Sequence, residues 1–285
     1  MDNRTSKLEK IRLVVDKMPS LSTTVSKVLE ICSRPDTVPN DLNKVISLDP
    51  VLAGQVLRLT NSAYYSLVNK VTSLTRAIVM LGLNTVKNLA LSTAIIRTVG
   101  QAKKSQALPI REFWAHSIAV GATAKLLAAA RDLSLVEREE YFVAGLLHDL
   151  GKVPLADEYT EVFARVNTGQ EPLVTVEQQI LKLDHQEVGA MIAAKWKLNA
   201  VITDAICHHH TPTLAGHEHR DLVATVALAD FFVCLFDIGN GGNHYPDPTG
   251  LESLLQQCGI EWYSVVDLAT SVEAEILKAE TFLQI

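Results

Sequence analysis

The stretch Tyr141–Lys152, Tyr-Phe-Val-Ala-Gly-Leu-Leu-His-Asp-Leu-Gly-Lys, constrains this chain more than any other. An apolar run of helical character ends in a histidine followed directly by an aspartate. An ionisable pair at the end of such a run is costly unless something compensates it. A metal ion does so directly, and a charged helix end is the ordinary alternative. Successive helical residues point about 100° apart, so His148 and Asp149 cannot easily chelate side by side from one face. Both can still reach ions at the helix end, with the two carboxylate oxygens of Asp149 spanning two of them. Gly151 is expected to permit a left-handed helix exit, leaving Lys152 free to meet an anion.

The rest of the chain reads as helix. Apolar stripes at helical spacing mark Leu21–Cys32, and helices are expected over Asp41–Ser47, Val51–Thr60, Leu74–Leu81 and Thr85–Val99. Asp49, Ser73 and Asn84 are the expected N-caps of the last three, and Pro50 takes the first helical position. Further helices fit Pro109–Ala130, a segment capped by Ser134, then Thr175–Asp184, His185–Leu198, Ala200–His209, Asp221–Ile238, Leu251–Cys258 and Ile260–Phe282. Asp157–Leu173 looks irregular, and Gly239–Gly250 is a glycine, asparagine and proline loop. No stretch alternates in the way a sheet requires, so the fold class is all-α. The polar segment Gly100–Leu108 is the expected linker between an N-terminal helical lobe, residues 1–105, and a helical bundle, residues 106–285.

With 285 residues, 48% of them apolar, the chain can bury a large core. The balance of 26 basic against 32 acidic residues argues against a nucleic-acid binder working by bulk charge, and no recognition helix is evident. Cys32, Cys207, Cys234 and Cys258 show no C-x-x-C spacing, which fits a reduced, cytoplasmic setting. The N-terminus carries no signal-peptide pattern. Leu222–Ile238, the most hydrophobic stretch, is interrupted by Asp230 and falls short of the ~20 apolar residues of a bilayer span, so no membrane role is expected.

Other ionisable residues fall on separate expected helices. His116 shares a helix face with Phe113, Val120 and Thr123, where a lone histidine is more often a satisfied core residue than a ligand. Asp230 is surrounded on its helix by Val226, Ala227, Val233 and Cys234, and needs either a buried hydrogen bond or a cation. His185 opens a helix. His208-His209-His210 closes another, and since the three point different ways, at most two share one site. His217, His219 and His244 lie in polar loops and read as surface residues. The order His116, His148-Asp149, His185, His209-His210, Asp230 is far more specific than any one member, because a helical bundle builds an inward-facing metal site this way.

That order resembles the HD superfamily of metal-dependent phosphohydrolases, whose core is a helical bundle. The added histidines resemble the HD-GYP branch, but Thr211-Pro212-Thr213-Leu214 follows the histidine pair and no Gly-Tyr-Pro element is present. Met18-Pro19-Ser20-Leu21, Ile46–Pro50, Arg58–Tyr65 and Ala77–Leu83 resemble successive signatures of the HDOD family, from about Asp16 to Pro212. The resemblance implies an HD-like bundle in a bacterial signalling or regulatory protein. It also implies one ion on His116, His148, Asp149 and Asp230, and a second on His185, His209 and His210 that shares Asp149. Many HDOD proteins lack metal residues, whereas this chain keeps every candidate ligand and Lys152.

Mixed imidazole and carboxylate donors suit two transition-metal ions, iron foremost, with manganese, nickel or zinc as alternatives. Two such ions bind a phosphoryl group and acidify a water between them, while Lys152 would neutralise phosphoryl charge beside Asp149. Two function classes follow. One is a phosphohydrolase acting on a phosphate-containing small molecule or nucleotide. The other is a catalytically inactive adaptor for a signalling protein, with a structural or ligand-sensing metal site.

Overall fold

The computed structural model describes residues 3–100, 106–168, 171–243, 248, 250–263 and 269–284. Every regular element among them is helical. The first half contains α1 (Asn3–Lys17), α2 (Thr23–Cys32), α3 (Pro39–Ile46), α4 (Pro50–Thr60), α5 (Leu74–Leu81) and α6 (Leu83–Gly100). The second contains α7 (Ile110–Ala130), α8 (Leu135–Leu147), α9 (Lys152–Glu158), α10 (Thr160–Thr168), α11 (Leu173–Leu181), α12 (His185–Trp196) and α13 (Ala200–His208). These are followed by α14 (Arg220–Leu235), α15 (Leu251–Cys258) and α16 (Ala269–Ala279).

Local chemistry sets many of these boundaries. Asp49 accepts from the Leu52 N–H at 3.0 Å, Ser73 from Arg76 at 3.3 Å and Ser134 from Glu137 at 3.3 Å, each satisfying a donor left open by the first helical turn. Asn84 is not a cap. The chain passes from Gly82, in the left-handed region at φ 86, straight into α6, which leaves Asn84 inside the helix. Helix α1 was not expected from its polar sequence, in which Ile11 and Val15 form only a thin buried stripe. It is held by tertiary contacts: Lys195 Nζ donates to the carbonyls of Val15 and Asp16, and Trp196 Nε1 to that of Pro19 just beyond its end. Helix α10 lies in the segment expected to be irregular and buries Val162, Phe163 and Val166 at helical spacing. In the expected helix Ile260–Phe282, residues 264–268 lie outside the described residues, as do 101–105 of the expected linker and His244.

One apolar core runs from α2 and α4 through α6 to Phe142, Leu146, Val188 and Ile192. A second joins α7 to α14, α15 and α16. The Asn61–Tyr65 segment locks the first half to the second. Asn61 braces Val71 through both its backbone N–H and its carbonyl, at 2.7 Å each. Tyr65 then donates to Glu139 Oε2 at 3.0 Å, while Lys125 pairs with Glu139 Oε1 at 2.7 Å and lies over the Tyr64 ring. Among the described residues, one straight helix, Ile110–Ala130, is long and apolar enough to cross a bilayer, and most of it is buried within the bundle.

Helices α7 and α8 form an antiparallel hairpin whose backbones touch where two glycines meet. A Cβ on Gly145 would stand 2.8 Å from Gly121 Cα, and one on Gly121 would stand 2.6 Å from the Phe142 carbonyl oxygen. This crossing brings His116 opposite His148. Gly121→Ala is therefore expected to push the hairpin apart and destabilise the chain by about 1–3 kcal/mol, read as a lower Tm by calorimetry. An unchanged Tm would mean that the crossing is looser than described.

Candidate metal centre

The run that opened the sequence ends as α8, with His148 at its C-cap in helical geometry. Asp149 and Leu150 follow in a tight right-handed turn that leads directly into α9. Gly151 does not exit left-handed; its φ is −67° and ψ −20°. Glycine stands there because the first turn of α12 lies against it. A Cβ at 151 would collide with the His185 carbonyl and lie 2.6 Å from the Gly189 N. That contact brings His185 to Asp149.

Seven side chains converge on the point where α7, α8, α12, α13 and α14 meet. Asp149 is fully buried and divides its carboxylate between two sides. Its Oδ2 lies 3.2 Å from His148 Nε2 and 3.6 Å from His116 Nε2; its Oδ1 lies 3.5 Å from His209 Nε2 and 3.6 Å from His185 Nε2. Asp230 Oδ1 closes the first side, 3.1 Å from His116 Nε2 and 3.6 Å from His148 Nε2. On the second side His185 Nε2 is 3.1 Å from the Nε2 atoms of both His209 and His210. The donor atoms of His116, His148, Asp149 and Asp230 all lie within 4.8 Å of one another, and those of His185, His209 and His210 do the same. The other described histidines stay outside: His208 is half-buried away from the cluster, His217 is exposed, and His219 bonds Asp204 at 2.8 Å.

The hydrogen bonds behind the rings decide what these nitrogens can do. His185 Nδ1 donates to Glu177 Oε2 at 2.6 Å, His148 Nδ1 to the Gly145 carbonyl at 2.6 Å and His209 Nδ1 to the Ala205 carbonyl at 3.0 Å. An acceptor behind Nδ1 fixes its proton there and leaves Nε2 of a neutral ring with a lone pair. The lone pairs of His185 and His209 therefore face each other, and that of His148 faces carboxylate oxygens. Such an arrangement is repulsive without a cation. Consistent with that, His116 Nε2, His148 Nε2 and Asp149 Oδ1 are buried without a hydrogen-bond partner. The two donor sets are able to hold metal.

Without metal, protons and Lys152 take up part of the role. Burial pulls the His148 imidazolium down, but Asp149 and Asp230 outweigh it and raise its pKa to about 10. Burial pushes Asp149 up, yet His148 and Lys152 hold it well below the usual carboxylate range. Asp230 is likewise raised by burial and lowered further by His116 and His148. In the second set Asp149 offsets only part of the cost of burial. Burial lowers His209 to about 4, and burial together with His209 and His185 holds His210 well below the ordinary imidazole value.

Lys152 is not left open to solvent. It is 1% exposed and its Nζ lies 2.5 Å from Asp149 Oδ2, because α9 turns it back over the carboxylate three residues earlier. Glu177 was missed by sequence reasoning although a signal existed. It sits on the apolar stripe of α11 with Leu173, Val176 and Leu181, as Asp230 does on its own helix. Fully buried, it accepts from both Nδ1 and the backbone N–H of His185. Gln186, which accepts from the His210 N–H at 3.1 Å, carried no such signal.

A helical bundle that sets one His/Asp donor set and one all-histidine set around a shared aspartate is able to hold metal. Comparison with known proteins makes the assignment specific: the HDOD domain family profile matches residues 18–212, and the chain belongs to that family. An HDOD domain protein of unknown function from Geobacter sulfurreducens has a similar crystal structure, with TM-score 0.80, 26% identity and 98% of both chains covered. A protein of Shewanella amazonensis named as a candidate metal-dependent phosphohydrolase shares the fold, with TM-score 0.61, 18% identity, and 97% and 100% of the two chains covered. An uncharacterised protein of Treponema pallidum is 26% identical over 228 residues, 78% of this chain. The chain spans 43% of that relative's length.

Two outcomes follow for the metal-free chain. From about pH 6.5 down to about 4 the unfolded state binds a proton that folded His209 refuses, so stability falls as pH drops through that window. His148 acts in the opposite sense: its contribution is complete below about 6.5 and is lost as pH rises towards 10. Denaturant titration should show stability falling away on both sides, and a profile flat from 4 to 10 would contradict the assignment. Lys152→Ala breaks a buried pair and is expected to cost the metal-free chain about 3–5 kcal/mol, and the metal-loaded chain far less. Glu177→Ala should weaken metal binding by about 10–100-fold in competition with a chromophoric chelator.

Proposed function

We propose that this HDOD chain is a signalling protein that binds two transition-metal ions, iron foremost and manganese, nickel or zinc as alternatives, and hydrolyses a phosphate ester. The observation that carries this reading is the division of the Asp149 carboxylate, Oδ2 towards His116 and His148 and Oδ1 towards His185 and His209. In this reading His116, His148, Asp149 and Asp230 hold one ion. His185, His209 and His210 hold the other, with Asp149 shared. Ions held there would supply Lewis acidity to a phosphoryl group and acidify a bound water.

The chain's own residues supply the rest. Asp149 and Asp230 balance the positive charge, while Glu177 and the carbonyls of Gly145 and Ala205 keep the ring nitrogens in the ligating tautomer. With Asp149 engaged by metal, Lys152 would be a buried cation beside the site, able to neutralise charge developing on phosphoryl oxygens. The name of the Shewanella amazonensis neighbour points to the same chemistry. A second reading, an adaptor that carries metal without turnover and docks a signalling protein, is favoured by one observation: Lys152 is engaged by Asp149 rather than open to a substrate.

Chain loaded with iron or manganese is expected to hydrolyse p-nitrophenyl phosphate, to stop on chelation and to resume when metal is returned. Lys152→Ala should keep its metal and lose about 10²-fold in turnover, the scale of one oxyanion-stabilising group. Asp149→Ala should lose metal and turnover together. A fully loaded chain inert towards phosphate mono- and diesters would leave the adaptor reading.

A further inference from the structure

Outside the donor sets, a cavity of about 320 Å³ opens directly over His209, His210 and Asp230. It lies at the lower end of the roughly 300–1,000 Å³ typical of small-molecule pockets, enough for one ring system with its substituents. Val174, Phe231 and Leu254 give it apolar walls. The Phe231 ring packs edge-on against Trp262, with centroids 6.4 Å apart, so the platform is positioned before anything binds.

Beyond Asp230 and the two histidines at its floor, the polar side chains of the cavity are neutral. Asn243 uses its carbonyl oxygen on the Leu173 N–H at 3.3 Å, which leaves its amide N–H groups to donate. Gln257 uses its amide N–H on the Arg220 carbonyl at 3.4 Å, which leaves its carbonyl oxygen to accept. Ser253 adds a hydroxyl. Among the described residues no Lys or Arg lines the cavity, and residues 169, 170, 244–247 and 249, which adjoin the lining in sequence, include neither. A phosphate at the metals is neutralised there. A second phosphate would lie farther out in the cavity, where among the described residues no Lys or Arg lines the wall to pair it, and an unpaired charge taken out of water is strongly disfavoured.

We infer that the site takes a monophosphate ester with an uncharged, flat body of about the size of one nucleoside, stacked on Phe231, and that it discriminates against nucleoside di- and triphosphates and cyclic dinucleotides. This rests on the phosphohydrolase reading above and narrows it to a substrate class.

Binding to the manganese-loaded chain, followed by tryptophan fluorescence and checked by calorimetry, tests the inference with slowly hydrolysed probes. Adenosine 5′-monophosphorothioate should bind about tenfold tighter than orthophosphate, the scale of one base stacked on one aromatic ring. Adenosine 5′-(β-thio)diphosphate and the phosphorothioate of cyclic di-AMP should bind about tenfold more weakly than the monophosphorothioate. Phe231→Ala should reduce the monophosphorothioate to the orthophosphate level. Ser253→Lys should tighten the diphosphate selectively, a gain that misfolding cannot imitate. Equal affinity for orthophosphate and the monophosphorothioate, or tighter binding of the diphosphate or the cyclic dinucleotide, would overturn the inference and leave the phosphohydrolase reading standing. Failure of orthophosphate itself to bind the loaded chain would remove both.

Discussion

Everything in this chain's second half depends on one carboxylate that is fully buried and shared. Asp149 faces two histidine groups with different oxygens and is held on a third side by Lys152. A carboxylate in such a place is costly in isolation, and the surrounding cations are what keep it ionised. The fold meets that demand by drawing helices from well-separated parts of the sequence to a single point. Without Asp149 the two donor sets would be unrelated clusters.

The helices reach that point because glycine removes the side chains that would hold them apart. Gly121 and Gly145 let α7 and α8 touch, which sets His116 opposite His148, their ring centroids 5.7 Å apart. Gly151 lets α12 lie against the turn after Asp149, which brings His185 in. Beyond α14, the chain at Gly241 passes so close to the His116 ring that a Cβ there would stand 2.7 Å from Nε2. The first half is tied to the same frame through Tyr65, Glu139 and Lys125, a buried polar link between the Asn61–Tyr65 segment and α8. That link gives the first half of the chain a physical connection to the helix that ends at His148.

Much of this was legible in the residues, and the reasons differ from one to the next. Asp230 and His116 stood out because each is an ionisable group on an otherwise apolar helical face. Glu177 carried the same signal on a shorter, more polar helix, where one acidic residue among glutamines reads as ordinary solvent-facing surface. The histidine triplet could be limited to two members by the angle between successive residues. That His208 is the one excluded depends on where α13 ends and how His209 and His210 leave it, a matter of tertiary packing. Gly151 and Lys152 were read from local conformation alone, and both depend on distant partners: α12 against the glycine and Asp149 against the lysine. Helix α1 was invisible for a related reason, since carbonyls near its C-terminus are satisfied by Lys195 and Trp196, nearly 180 residues away in sequence.

The proposed joining of two ions by Asp149 is tested most directly by the distance between them. X-ray absorption at the metal edge of the fully loaded chain should show imidazole-rich coordination and a metal–metal vector of about 3.5–4 Å, the separation of two-metal sites. Saturation at a single ion, or two ions with no short vector between them, would contradict it.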